Sequence, residues 1–84
     1  MTNIQVEIYN NFRDKDFFEL TAYYTRNDNE NIRVDIYPKI GDKIHTTYES
    51  FVIDEEANDI PTTISVDEWN EITIEINRLL NIQI

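Results

Sequence analysis

Apolar residues alternate with polar ones through the first half of this chain, then recur at intervals of three and four near its end. That switch of period confines the fold to a sheet followed by a helix. Ile4, Val6 and Ile8 share one parity, and Gln5, Glu7 and Tyr9 share the other. Phe18, Leu20, Ala22 and Tyr24 alternate with Phe17, Glu19, Thr21 and Tyr23; Ile32, Val34 and Ile36 alternate with Arg33, Asp35 and Tyr37. Strands are expected at about 3–10, 17–25, 32–38 and 43–53, with turns at Asn10–Asp16 and Arg26–Asn31 and a break at Pro38 and Gly41–Asp42. In the fourth strand Ile44, Thr46 and Tyr48 share one parity while Phe51 and Ile53 share the other, so a bulge near Glu49–Ser50 is expected.

Residues 54–63 are acidic, contain Pro61 and are expected to form a loop. Ser65 then opens a helix over about 66–80. Ser65 and Glu68 have capping-box spacing, Asp67 and Glu68 suit the positive end of the helix dipole, and Val66, Trp69, Ile72, Ile76, Leu79 and Leu80 form an apolar stripe. The fold class is therefore α+β: a four-stranded antiparallel meander covered on one face by a single C-terminal helix. At 84 residues, 1–84 is read as a single domain. A chain of this size buries roughly 60–65% of its unfolded surface, so the helix must supply much of the core.

Charge narrows the partners. Residues 1–53 hold nine acids and six bases, a net of −3; residues 54–84 hold eight acids and only Arg78, a net of −7. Such a potential repels phosphates and anionic membranes and favours a basic protein, so neither direct nucleic-acid binding nor membrane binding is expected. The plain alternative is that acidity maintains solubility. Fourteen Ile and ten Asn against two Ala and one Gly suggest an AT-rich coding genome, and such genomes usually enrich Lys as well. With only Lys15, Lys39 and Lys43, the chain runs against that drift, which favours selected acidity. There is no cysteine, the N-terminal residues lack the pattern of a signal peptide, and no apolar run is long enough for a membrane span. The expected location is the cytoplasm, that of the host cell if the gene is carried by a phage.

Material for catalysis is sparse, and the chain is expected to be no enzyme. His45 is the sole histidine, on the outer parity of a strand; Ser65 is used by the helix cap, and Ser50 has no clear route to His45. Gly41 alone cannot make a phosphate loop. Asp54, Glu55, Glu56 and Asp59 lack the spacing of a calcium loop, so neither metal nor cofactor is expected.

Two surfaces remain as binding candidates. One is acidic: Asp54, Glu55, Glu56 and Asp59 in the loop, and Asp67, Glu68, Glu71 and Glu75 on the helix face opposite the stripe, with Ile74 as an apolar anchor beside them. Because none of Glu68, Glu71 and Glu75 lies on the stripe, their replacement by Lys is expected to preserve the fold. The other surface is the outer sheet face, carrying Tyr9, Tyr23 and Tyr37 with Glu7, Glu19, Thr21, Asp35 and His45 around them. The plain readings are a solvated helix face and cross-strand tyrosine pairing.

In size, acidity, lack of catalytic groups and AT-rich skew, the whole chain resembles the small acidic phage inhibitors of bacterial defence, the anti-CRISPR and anti-restriction proteins. No motif carries over. The resemblance implies nucleic-acid mimicry, in which the acids of 54–75 cover the Lys and Arg of a nucleic-acid-binding enzyme such as a Cas nuclease. An antitoxin or immunity-type protein that neutralises a basic toxin is the alternative; a structural or assembly domain that uses the tyrosine face, as monomer or homodimer, is a third.

Overall fold

The computed structural model describes residues 5–13, 18–26, 29–38 and 46–80. They form β1 (Glu7–Arg13), β2 (Phe18–Thr25), β3 (Asn31–Tyr37), β4 (Thr47–Ile53), β5 (Asp59–Pro61) and α1 (Val66–Leu80). The strands make one antiparallel sheet in the order β1-β2-β3-β4-β5. The α+β class and the helix bounds agree with the sequence reading, but the sheet has five strands rather than four.

Alternation builds the core. Leu20, Ala22 and Tyr24 of β2 and Ile32, Val34 and Ile36 of β3 are buried against Ile72 and Ile76 of α1. Val6, Ile8, Val52, Ile64 and Trp69 pack around them. The helix is anchored to β4 by Trp69, whose ring stacks on Tyr48 at 4.3 Å, and reaches β1, where Leu79 and Ile8 line a common groove. The apolar stripe is narrower than its sequence spacing suggests. Val66 is 74% exposed and Leu79 55%, whereas the polar Glu68 and Thr73 are buried.

The fifth strand arises inside the expected loop. Asp54 N–H donates to Asn58 O at 3.2 Å, and Ala57 N–H donates to Asp54 O at 3.0 Å, closing a tight hairpin with Ala57 at φ 63°. A turn of this type normally signals itself through glycine in the left-handed position. Alanine conceals it. The β2–β3 hairpin repeats the pattern: Arg26 N–H to Glu30 O and Asn29 N–H to Arg26 O, each 2.9 Å, with Asn29 at φ 66°. Asn tolerates that conformation, which is why this turn was legible.

The bulge expected at Glu49–Ser50 does not exist. β4 pairs with β3 without a shift, from Asn31↔Ile53 to Tyr37↔Thr47. Tyr48, Ser50 and Val52 therefore face the helix. Ser50 occupies a core position because its Oγ–H donates to Thr62 O at 2.6 Å and its carbonyl accepts from Thr62 N–H at 3.0 Å. Those bonds secure the segment leading from β5 into α1. Phe51 and Ile53 lie on the outer face. The register shift is instead in β1, between Asn10 and Phe12, and β1 continues to Arg13 through part of the expected Asn10–Asp16 turn. The remainder of that turn, Ile4, the Gly41–Asp42 break and the Lys43–His45 start of the expected fourth strand lie outside the described residues.

Candidate protein-binding surfaces

Helix and sheet are joined at Glu68. The capping box forms as spaced: Glu68 N–H donates to Ser65 Oγ, and Ser65 N–H donates to Glu68 Oε1, both at 3.1 Å. The same carboxylate accepts the Tyr24 hydroxyl at 2.5 Å and the Arg26 Nε–H at 3.0 Å. Arg26 also donates to Thr63 O at 2.7 Å and to Glu30 Oε1 at 3.3 Å. Burial alone would raise the Glu68 pKa, but the bonds from Tyr24, Arg26 and Ser65 outweigh it and hold the carboxyl below its ordinary value. Burial, and then the Glu68 carboxylate, push the Tyr24 hydroxyl far above its ordinary value.

Glu68 is therefore no surface acid. It is 7% exposed and belongs to the helix anchor, so the expectation that Glu68, Glu71 and Glu75 could be reversed together without loss of fold is corrected. A helical wheel places position 68 at the edge of the apolar stripe, where only the partners on β2 decide which way it turns.

The other acids of 54–75 divide. Asp54 Oδ1 accepts from Glu56 N–H at 3.0 Å and Asn58 N–H at 2.8 Å, and Oδ2 accepts from Asn58 Nδ2–H, so its carboxylate is consumed by the turn. Those bonds lower its pKa, the Asn58 backbone N–H most. Asp59 pairs with Arg33 at 2.9 Å, and Glu75 pairs with Arg78 at 2.5 Å. Glu55, Glu56, Asp67 and Glu71 make no ion pair among the described residues, and Ile74 is 56% exposed beside the helix pair. The steep charge gradient along the sequence is thus partly erased in space, because Arg26 and Arg33 of the first half fold onto Glu68 and Asp59 of the second.

Among the described residues, no element packs on the outer sheet face, although Thr21 at its centre is only 5% exposed. Glu7, Tyr23, Arg33, Phe51 and Pro61 form one row across all five strands, through the pairs Glu7↔Tyr23, Tyr23↔Arg33, Arg33↔Phe51 and Phe51↔Pro61. The next row is Tyr9, Thr21, Asp35 and Glu49. Tyr9 and Tyr23 meet edge to face at 5.7 Å, and the Tyr9 hydroxyl donates to Glu7 Oε2 at 3.2 Å. Glu7 raises the Tyr9 pKa through its charge and this bond. Tyr37 lies apart on the same face. Its partial burial and then the charges of Glu49, Glu19 and Asp35 raise its pKa, a sign of locally negative potential.

Arg33 is already neutralised on this face. Its guanidinium lies 4.8 Å over the Phe51 ring and bonds Asp59 through Nη1, while its Nε lies 3.3 Å from Asp35 Oδ1 without hydrogen-bond alignment. Among the described residues of this face Arg33 is the one cation, beside Glu7, Glu19, Asp35, Glu49 and Asp59. Parity alone revealed Glu7, Glu19 and Asp35. The expected bulge turns Phe51 and Ile53 inward, whereas the unbroken register puts them on this face with Glu49, and β5, inside the expected loop, adds Asp59.

Among the described residues, no group of His, Cys, Asp and Glu is arranged to hold a metal ion, and no helix is long and apolar enough to cross a membrane. His45 lies outside the described residues. No protein-family model matches the chain, and searches of curated proteins and of solved structures return no match.

Proposed function

We propose that this protein is a small acidic inhibitor that binds a basic, nucleic-acid-binding enzyme and occludes the groove through which that enzyme grips DNA or RNA. The contact surface is the outer sheet face, on the side of the sheet away from α1. The observation that carries this reading is the composition of that face. Among the described residues, five carboxylates and two exposed tyrosines share it with one arginine that is already paired. Tyrosines supply contact area at low entropic cost, and the carboxylates supply charge complementary to Lys and Arg. The resemblance to phage inhibitors makes a bacterial defence nuclease such as a Cas effector the first enzyme to try.

The test is capture from a bacterial lysate at about 0.1 M salt, followed by elution with duplex DNA or structured RNA. Release of a nucleic-acid enzyme by the polymer supports occlusion. Release by salt alone favours the immunity-type alternative, in which a toxin is blocked away from its substrate groove. A partner indifferent to both treatments contradicts an electrostatic contact.

A further inference from the structure

Resting on that reading, we propose that the corner formed by Glu7, Tyr9 and Tyr23 seats an arginine side chain of the basic partner, in preference to a lysine. The corner is built rather than incidental. The Tyr9 hydroxyl donates to the Glu7 carboxylate at 3.2 Å, Glu7 is the cross-strand partner of Tyr23, and the two rings meet edge to face, so a carboxylate and two aromatic rings share one corner. Tyr9 is 52% exposed and Tyr23 40% exposed, so neither ring is buried by its neighbours. Beside this corner, at the ends of β2, β3 and β4, an open groove lined by Glu7, Tyr23, Tyr24, Thr25, Asn31 and Ile53 leaves room for the stem of an incoming side chain.

The chain already contains the same chemistry within itself. One step along the same row, Arg33 lies over the Phe51 ring and is held by Asp59 and Asp35. A guanidinium between an aromatic face and carboxylates is thus an arrangement this sheet surface stabilises. The Glu7–Tyr23 end of the row has the ring and the carboxylate without an internal cation among the described residues. A guanidinium is planar, weakly hydrated and forked, so it stacks on a ring while bonding a carboxylate. An ammonium is a compact, strongly hydrated charge, better matched to fully solvated acids such as Asp67. Charge complementarity calls for a cation, and ring geometry selects which.

Octa-arginine and octa-lysine peptides, equal in charge, test this by titration at about 0.1 M salt with amide chemical shifts as the readout. Expected is binding of octa-arginine about tenfold tighter than octa-lysine, with the largest shifts at Tyr9 and Tyr23. Tyr23→Leu keeps apolar bulk on the strand and should reduce that ratio to near one while leaving octa-lysine affinity unchanged. The Trp69 emission, on the opposite face, reports that the fold is kept. A ratio near one in the unaltered protein, with shifts still on the sheet face, overturns the arginine seat and leaves the basic-partner reading intact. Shifts confined to α1, or no binding of either peptide, overturn both.

Discussion

Glu68 receives the Tyr24 hydroxyl, the Arg26 guanidinium and the Ser65 amide on one buried carboxylate. Glu68→Gln keeps the shape but removes the charge, leaving Arg26 with only Glu30 and Thr63 O as partners. The expected loss is about 2 kcal/mol in chemical unfolding, below that for a broken buried pair because Arg26 is partly exposed and keeps those two bonds. The same group sets an acid limit. Its folded pKa lies below the ordinary 4.5, so its contribution is complete above that value and is lost as pH falls through the folded pKa. A stability profile should therefore decline below about pH 4.5, and Glu68→Gln should flatten that decline. Tyr24 works in the opposite direction. Its raised pKa contributes stability below pH 10 that is lost as the pH climbs further, and Tyr24→Phe should remove this alkaline dependence. Ala57 pays for its left-handed φ of 63° at the β4–β5 turn. Ala57→Gly should raise stability by about 0.5–1 kcal/mol, whereas the same change at a right-handed exposed position would lower it.

At the scale of elements, what could be read from the sequence tracks how each element is specified. The helix was legible end to end, because its cap, its acidic first turn and its three-and-four spacing are all local. β2 and β3 were legible because clean alternation meets a sheet covered on one face. β5 was not. Three residues ending in Pro61 carry no period, and the turn before it uses Ala57 where glycine would have marked a hairpin. β4 was misread because Ser50, a polar residue at a core position, depends on Thr62 twelve residues away for its hydrogen bonds. Ser50→Ala removes one of those bonds and should cost about 1 kcal/mol. Ile72→Ala, which empties a fully buried site between α1 and the sheet, should cost about 2–5 kcal/mol in the same measurement.

For the whole molecule, a net charge of −10 was plain from composition, but its placement was not. Sequence order concentrates the acids in the second half, and an acidic helix with its preceding loop was the natural candidate. Folding removes Glu68 to the interior, spends Asp54 on a turn, and brings Arg26 and Arg33 across to the second half. What remains is a face set by parity and by strand register. The tyrosines and nearby acids of the first three strands could be read in advance. Glu49, Phe51 and Asp59 could not, because their membership depends on a register that only the paired strands define. Once a partner has been captured, its affinity should fall steeply with salt, since a contact of carboxylates with basic side chains is screened.

The sheet face itself is tested by two pairs of neutralising changes, at exposed Glu7, Glu49 and Asp67 and half-buried Glu71, none of them in the core and so of little consequence for the fold. Dissociation constants for the captured enzyme are measured with Glu7→Gln/Glu49→Gln and with Asp67→Asn/Glu71→Asn, at one salt concentration. The first pair should weaken binding about tenfold or more, and the second pair by about threefold at most. The reverse order, with the helix pair dominant and the sheet pair silent, would place the interface on α1 and contradict the assignment of the outer sheet face.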